Sequence, residues 1–207
     1  LTGDDQWNMS PVASPDGSKV AYASSSNRPG SPDQSDISIR VVSTDGRNKV
    51  QLEKANYSLG RLVWSPDGTE IAYEAGGIEH DGEIFVSASG TGRPINVTND
   101  KESNDFNPVW ASDDGKIIFE SVKFDAGKRR FTESSFKEVD VRSGDVKKLF
   151  DFDYNTSGSH AWSPDLDMVA YLHKDNYLQP PSLYVMDAQG GGQTMLVKEV
   201  RFRGAPV

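Results

Sequence analysis

A four-residue phrase recurs along the chain and constrains its fold more than any other feature. It reads Ser14-Pro15-Asp16-Gly17 and Ser65-Pro66-Asp67-Gly68, with altered copies at Ser112-Asp113-Asp114 and Ser163-Pro164-Asp165. Each copy precedes a short apolar run that contains an aromatic residue. These aromatics are Tyr22, Tyr73, Phe119 and Tyr171. Their spacings of 51, 46 and 52 residues are typical of one blade-sized supersecondary unit, so the chain is predicted to be a repeat protein.

Each phrase has the chemistry of a hairpin turn. Proline at the second position fixes φ, aspartate can accept a hydrogen bond from its own backbone, and glycine supplies a left-handed residue. In the second copy the turn joins strands predicted at Arg61-Leu62-Val63-Trp64 and Glu70-Ile71-Ala72-Tyr73-Glu74. Leu166 stands where the fourth copy should have glycine, which predicts a strained turn because a bulky residue disfavours positive φ. The turn aspartates are interpreted as structural.

Two more strands follow each hairpin. The third strands, rich in β-branched and aromatic residues, are predicted at Ile37-Ser38-Ile39-Arg40-Val41, Glu83-Ile84-Phe85-Val86, Phe136-Lys137-Glu138-Val139 and Leu183-Tyr184-Val185-Met186. A second turn, marked by Gly46, Gly90, Gly144 and Gly190, leads to the fourth strands. These are predicted at Gln51-Leu52, Asn96-Val97-Thr98, Lys148-Leu149-Phe150 and Met195-Leu196-Val197. Four strands in each unit and no helical period predict an all-β fold, a β-propeller built from four-stranded antiparallel blades.

The residues also resemble a known family. Trp64-Ser65-Pro66-Asp67-Gly68 with Ile71-Ala72-Tyr73, and Leu183-Tyr184-Val185-Met186-Asp187 with Gly190, are similar to the WD40-like PD40 repeat of TolB-like β-propellers. The resemblance covers essentially the whole chain. It implies a ring of about six blades and an extracytoplasmic, periplasmic setting. Repeats of this kind also form the propeller domains of prolyl-oligopeptidase-like peptidases and other enzymes.

The repeats predict a single propeller domain over residues 1–207. Its blades are placed at approximately 1–52, 53–98, 99–150 and 151–197, and residues 198–207 begin a fifth. Four full repeats with partial blades at both ends fall short of the ring that the resemblance implies. We therefore expect part of a larger propeller, completed by a second chain or by a removed segment. A closed four-bladed ring is the alternative.

Composition disfavours several classes of function. With 31 acidic and 22 basic residues the net charge is -9, which opposes binding to a nucleic-acid backbone. The absence of cysteine excludes disulfides, thiolate metal sites and cysteine nucleophiles. No apolar run approaches the ~20 residues needed to span a bilayer. The sequence contains no Gly-x-Ser-x-Gly nucleophile elbow, and it shows no complete catalytic constellation.

Binding is predicted on the face opposite the tight turns. From the first turn's aspartate to the second turn's glycine the distances are 30, 23, 31 and 25 residues, and the variation lies in the loop between strands two and three. Variable loops on a rigid scaffold commonly carry binding sites. Aromatic candidates in the inter-blade loops are Trp7, Tyr57, Phe106 and Tyr154. Candidates in the variable loops are His80, Arg129, Arg130 and Tyr177. Two more candidates, Arg61 and His160, lie at the entrance to the innermost strand. They align with Pro11 and Pro108 and are predicted to face the channel.

Alternative interpretations stay open for these residues, because each aromatic can equally pack under the neighbouring blade and the basic loop can simply be solvated. The predicted function is a non-enzymatic scaffold that binds a protein or peptide partner through the variable-loop face. The alternative is the propeller portion of an enzyme, either the gating domain of a prolyl-oligopeptidase-like peptidase or a sugar-processing site in the channel. No cofactor is predicted. Asp151, Asp153 and Asn155 alternate like the ligands of a Ca²⁺ loop, but the segment lacks its later glycine and glutamate.

Overall fold

The fold is given by a computed structural model, which describes residues 5–27, 37–55, 58–76, 82–90, 93–112, 115–125, 127–128, 130–153, 157–174 and 178–200. These residues form sixteen strands in four separate four-stranded sheets. Every pairing is antiparallel, and each sheet uses four consecutive strands in chain order. The predicted all-β blades are confirmed. Within the described residues, no helix is long and apolar enough to cross a membrane.

We call the four sheets blades 1 to 4. Blade 1 comprises β1 (Trp7–Ala13), β2 (Lys19–Ser25), β3 (Ile37–Ser43) and β4 (Lys49–Ala55), and blade 2 comprises β5 (Ser58–Trp64), β6 (Glu70–Gly76), β7 (Gly82–Ala88) and β8 (Ile95–Asn96). Blade 3 comprises β9 (Asn104–Trp110), β10 (Lys116–Asp125), β11 (Arg130–Asp140) and β12 (Val146–Asp151), and blade 4 comprises β13 (Ser157–Trp162), β14 (Met168–His173), β15 (Ser182–Asp187) and β16 (Thr194–Val197).

The repeated aspartates hold their own turns together. The Ser14 hydroxyl donates to Asp16 Oδ1 at 2.6 Å, and the Ser18 N–H donates to the same oxygen at 3.0 Å. These hydrogen bonds, led by that from Ser14, lower the pKa of Asp16 to about 2. Asp67 and Asp165 accept the corresponding bonds in their turns. In the described copies the aspartate therefore stabilises the turn.

Leu166 adopts the strained conformation that the sequence predicts. Its φ is +60°, close to the +69° of Gly17 and the +70° of Gly68 at the same turn position. Its N–H donates to the Ser163 carbonyl at 2.9 Å, and its side chain packs against the core of blades 3 and 4. Packing of this side chain offsets part of the backbone strain.

Both turns of a blade lie at the same end of the sheet. The Thr44 N–H donates to the Ser18 carbonyl at 2.9 Å, which joins the second turn of blade 1 to the first. The other blades have the same bond, in the pairs Ser89–Thr69, Val141–Gly115 and Ala188–Asp167. We call this end of the blades the turn face and the opposite end the loop face.

Buried apolar side chains fill the spaces between consecutive blades. Ile39 and Tyr73 belong to the core between blades 1 and 2, and Phe136 and Tyr171 to the core between blades 3 and 4. Tryptophans at the ends of inner strands add a polar contact. Trp64 Nε1 donates to the Val12 carbonyl of the preceding blade at 3.0 Å, and Trp110 Nε1 donates to the Val63 carbonyl at 3.3 Å. The repeated tryptophan thus ties each of these two blades to the one before it.

The outer face of blade 4 is uncovered. Val197 is 48% exposed, whereas Phe150, at the same register position of blade 3, is 8% exposed. Leu196 is 56% exposed, whereas Leu52 and Val97, at its register position in blades 1 and 2, are 3% and 5% exposed. The described residues contain buried clusters between blades 1 and 2, 2 and 3, and 3 and 4, with none between blades 4 and 1. The array is therefore open, as a part of a propeller would be.

Candidate functional site

The second and third strands of blade 3 are longer than their counterparts in the other blades. Strands β10 and β11 contain 10 and 11 residues, whereas β2 and β3 contain 7 each. About three additional residues in a strand project the hairpin by roughly 10 Å. We call residues 122–134 the arm. It includes the variable loop in which the sequence places Arg129 and Arg130.

An aromatic pair occupies the end of the arm. Phe124 is 46% exposed, and its ring lies edge-on against Phe131 with centroids 5.4 Å apart. Lys128 Nζ lies 3.0 Å from Asp125 Oδ2. Lys123 contacts Glu133 at 3.4 Å and Glu102 at 3.5 Å, and Glu133, the larger influence, raises the pKa of Lys123. The arm thus presents the partly exposed ring of Phe124, and the neighbouring lysines are already paired.

Two predicted aromatics lie in strands rather than in loops. Trp7 is the first residue of β1, where it is 48% exposed and pairs with Ser25. Phe106 is half-buried in β9 and pairs with Glu120. Their placement in inter-blade loops is wrong because the inner strands begin earlier than the repeat suggests. Arg130 stands opposite Asp125 in the backbone register of β10 and β11, at the end of the arm. Tyr57, His80, Arg129, Tyr154 and Tyr177 lie outside the described residues.

Arg61 and His160 do not occupy equivalent positions, so their predicted alignment is wrong. His160 stands opposite Tyr171, and the corresponding residue opposite Tyr73 is Leu62. A bulge before Leu62 puts Arg61 outside the strand register. Arg61 is exposed and lines a groove of about 710 Å³ between β1 and β5.

His160 is buried between blades 3 and 4, which corrects its predicted position facing the channel. Its side chain is 5% exposed, and its Nδ1 lies 3.1 Å from Glu120 Oε1, whose side chain is also 5% exposed. Phe136 and Phe152 pack edge-on against the imidazole, and Tyr171 stacks on it. Its Nε2 atom is buried and has no hydrogen-bond partner among the described residues. The polar contact fixes one blade against the next.

Asn107 extends this contact into blade 2. Its side-chain Nδ2 donates to Glu120 Oε1 at 3.0 Å, and its backbone N–H donates to Glu74 Oε1 at 2.6 Å. A φ of +54° lets Asn107 serve both carboxylates. Burial raises the pKa of Glu74. We call Glu74, Asn107, Glu120 and His160 the inter-blade network.

Gly60 makes room for the inter-blade network. A Cβ atom at this position would collide with the carboxylate of Glu74. The backbone N–H of Arg61, in the same bulge, also favours the ionised form of Glu74. The bulge of β5 therefore provides both space and a hydrogen-bond donor for a buried carboxylate.

A second acidic group lies near the loop face between blades 2 and 3. Asp105 is almost fully buried, and burial raises its pKa to about 6. Burial also raises the pKa of Glu83, whose carboxylate accepts a hydrogen bond from the Thr98 hydroxyl. Asp100 has a lowered pKa because the Ser103 hydroxyl, first of all, and Lys137 stabilise its charge.

These acidic residues do not form a metal centre. Across the part of the chain that the structure describes, no group of three or more His, Asp or Glu residues could hold a metal ion. Of the residues predicted as weak Ca²⁺ ligands, Asp151 forms an ion pair with Lys148 at 2.9 Å. Asp153 is exposed, and Asn155 lies outside the described residues.

Sequence reasoning did not identify Glu74, Asn107, Glu120 or Asp105. A signal for the glutamates was present, because each directly follows the repeated aromatic of strand two. Their counterparts in blades 1 and 4 are the apolar residues Ala23 and Leu172. Both faces of a middle strand are covered in a stacked blade, so a carboxylate there must find a buried partner.

Stacked four-stranded meanders with cores between successive blades define a β-propeller. Residues 1–198 match the PD40 family model, described as the TolB beta-propeller domain. The chain belongs to the PD40 family of TolB-like β-propellers, which confirms the predicted resemblance.

Individual relatives have different activities in their names. The chain is 25% identical over 190 residues to the uncharacterized peptidase YuxL of Bacillus subtilis (strain 168), covering 89% of this chain and 25% of that protein. It is similar to TolB from Acinetobacter baumannii, with a TM-score of 0.66, 19% identity, and coverage of 95% of this chain and 45% of that chain. It is also similar to an oligogalacturonate lyase in complex with manganese, with a TM-score of 0.75, 14% identity, and coverage of 96% and 55%.

The chain thus spans a quarter of the length of YuxL and about half the length of the two solved structures. At these identities the two solved structures establish the shared fold. The relatives that share this propeller fold thus include a protein named as a peptidase and a lyase.

Proposed function

We propose that this chain is a non-enzymatic scaffold that binds a protein or peptide partner through its loop face, with the arm as the principal contact. The observation that carries this proposal is the exposed Phe124, which packs edge-on against the half-buried Phe131 near the end of the longest pair of strands. Exposed aromatic side chains frequently supply the main anchors of protein interfaces.

The expected partner carries acidic residues around an apolar pocket. Lys123, Lys128, Arg129 and Arg130 are close together in sequence in a chain of net charge -9. Since Lys123 and Lys128 already have acidic partners, we assign the recognition of negative charge to Arg129 and Arg130. Arginine suits this role because its planar guanidinium can donate two parallel hydrogen bonds to one carboxylate.

Partner capture tests this proposal directly. The chain would be immobilised, exposed to an extract of its source cells and cross-linked, and the captured proteins quantified by mass spectrometry. Phe124→Ala and the double variant Arg129→Glu/Arg130→Glu should each reduce capture of the same protein by about tenfold. Arg47→Glu, at an exposed position on the turn face, is the matched control. Unchanged capture by the arm variants would remove the arm from the proposal.

An enzyme's propeller portion is the second candidate function. The likeness to YuxL and to the oligogalacturonate lyase favours it. The burial of His160 and Glu120 supports the scaffold instead, because a substrate would not reach these side chains. Hydrolysis of peptide anilides, or elimination from oligogalacturonate with added Mn²⁺, by the product of the complete gene would support the enzyme alternative.

We also propose that a second chain covers the outer face of blade 4 with another blade. The exposure of Leu196 and Val197, compared with the buried residues Leu52, Val97 and Phe150 at the same positions of the other blades, supports this assembly. Light scattering of the purified chain, alone and with candidate partner chains, measures the mass of the complex. A chain that remains monomeric in every mixture and melts in one sharp transition would contradict the proposal.

An extracytoplasmic, periplasmic location belongs to the same proposal, supported by membership of the TolB-like family. Fractionation of source cells, followed by immunoblotting of each fraction, tests it. Recovery of the protein in the cytoplasmic fraction alone would count against this location.

A further inference from the structure

We propose that a groove on the turn face, between blades 2 and 3, binds an extended peptide in which acidic and apolar side chains alternate. The groove has a volume of about 800 Å³, within the range of protein ligand pockets. It lies on the face opposite the arm, so this site is separate from the one proposed above. Its main lining residues are Val86, Arg93, Ile95, Trp110, Val141 and Arg142.

The floor of the groove is an apolar gap between two blades. Ile95 stands opposite Val86 in the strand register and therefore shares its face of the sheet. Val86 is buried in the core between blades 2 and 3, but Ile95 is 63% exposed. At the corresponding place in blade 1, Val50 stands opposite Val41 and packs against the core between blades 1 and 2. Blades 2 and 3 thus leave open a surface that blades 1 and 2 close.

Two arginines flank this floor. Arg93 follows the second turn of blade 2, and Arg142 lies in the second turn of blade 3. Neither guanidinium group has a hydrogen bond or an ion pair with any other described residue. Arg47, in the second turn of blade 1, lies 3.9 Å from Asp45. Two guanidinium groups without an acidic partner among the described residues, beside an apolar floor in a chain of net charge -9, are suited to bind carboxylates.

The carboxylates of the groove give the ligand a direction. Asp67 and Glu70 line its inner part, beside the first turn of blade 2. Asp67 keeps its charge, because hydrogen bonds from Ser65, the larger influence, and Thr69 lower its pKa. Second turns join the outer strands of a blade and first turns the inner strands. The acidic groups of the ligand therefore face outward, toward Arg93 and Arg142.

An extended peptide satisfies both parts of the groove. Successive side chains of a strand point to opposite sides, so alternate residues can face the apolar floor while the others meet the arginines. A small inorganic anion would contact the guanidinium groups but would leave Ile95 exposed. The combination of charge and apolar surface consequently favours a peptide.

A labelled hexapeptide of alternating leucine and glutamate provides the probe, with fluorescence anisotropy as the measurement. We expect saturable binding to the full chain that weakens with added salt. The double variant Arg93→Gln/Arg142→Gln should lower the affinity about tenfold or more, and Ile95→Ser should lower it about threefold. Glutamine in place of glutamate in the peptide should have an effect similar to that of the double variant.

Two further variants separate this site from the arm. Arg47→Gln changes an exposed arginine in the corresponding turn of blade 1, and Phe124→Ala changes the end of the arm; both should leave the affinity unchanged. Absence of saturable binding would overturn the proposal. So would binding that is insensitive to Arg93→Gln/Arg142→Gln, or binding that is lost in Phe124→Ala, since the latter result would place the peptide on the arm.

Discussion

The Nδ1 atom of His160 lies 3.1 Å from Oε1 of Glu120, although the two residues are 40 positions apart and belong to different blades. Both side chains are 5% exposed. Glu120 also accepts a hydrogen bond from Asn107, so one carboxylate serves donors from two inner strands. The contact therefore links packing of blade 4 to the local structure of blade 3.

Removal of the Glu120 carboxylate should destabilise the chain. Glu120→Ala leaves His160 and the Asn107 amide without their buried acceptor, and we expect a loss of about 3 kcal/mol in the free energy of unfolding. Urea denaturation measures this loss. Glu120→Gln, which retains one acceptor oxygen, should lose less.

Asp151→Ala is the control for the Glu120 variants, because the Asp151–Lys148 pair is exposed. Its expected effect is below about 1 kcal/mol. Equal losses in Glu120→Ala and Asp151→Ala would show that burial adds nothing to the His160–Glu120 contact.

Asp105 should make the chain less stable as the pH rises. Its pKa is about 6 in the fold and 3.8 ordinarily, so the folded state retains the proton to a higher pH than the unfolded state. The stabilisation is complete below about pH 4 and is lost by about pH 6, and it amounts to about 3 kcal/mol. Asp105→Asn should remove this dependence and be the more stable protein at pH 7.

Comparison of unfolding free energies from pH 3 to pH 8 isolates this effect, because Glu74 and Glu83 contribute the same sign in both proteins. Asp16→Asn is the opposite control. The pKa of Asp16 is lowered to about 2, so its stabilisation is present above about pH 4 and is lost in more acidic solution. An unchanged slope in Asp105→Asn between pH 4 and pH 6 would contradict the prediction.

Gly17 allows a test of backbone conformation without steric contact. Its φ is +69°, and a Cβ added there meets nothing within 4 Å. Gly17→Ala should therefore cost about 1 kcal/mol through strain alone, measured by thermal and urea unfolding. Gly90 is equally open but lacks positive φ, and Gly90→Ala should be neutral within about 0.5 kcal/mol. Similar losses in both variants would mean that φ is not the cause.

Val97 and Val197 form a matched pair for testing the open face of blade 4. Val97→Asp places a charge in the core between blades 2 and 3 and should cost about 3 kcal/mol or more. Val197→Asp changes a half-exposed position and should cost less than about 1 kcal/mol. Chemical denaturation of both variants at low protein concentration makes the comparison. A large loss in Val197→Asp would mean that another surface covers blade 4 in solution.

Local chemistry explains why the blades were predictable. The first turn contains its own hydrogen-bonding groups, as Ser14 and Asp16 show, and Leu166 adopts the positive φ that its position requires. Strand ends were less predictable. The fourth strand of blade 2 ends at Asn96 instead of Thr98, because the Thr98 hydroxyl takes the place of a backbone acceptor for the Ile84 N–H at 3.1 Å.

The candidate site depended on contacts that periodicity does not encode. Arg130 was predicted in a variable loop, but it begins β11, where Phe131 pairs with Phe124 of β10. The Glu74 carboxylate reaches the N–H of Asn107, 33 residues further along the chain. The sequence pattern shows that a charged residue lies in a middle strand, but it does not show which neighbour will form a hydrogen bond with that residue.

The hydrogen bonds between the two turns of each blade have a practical consequence for protein engineering. In each blade a first-turn carbonyl accepts a hydrogen bond from the second turn; these carbonyls belong to Ser18, Thr69, Gly115 and Asp167. A segment inserted at that end would disrupt this hydrogen bond. Among the described residues of the hairpin between Asp125 and Arg130, no backbone hydrogen bond joins it to a second turn. A foreign peptide grafted there would be held at the end of the paired strands β10 and β11, so this propeller could display the peptide in a fixed orientation.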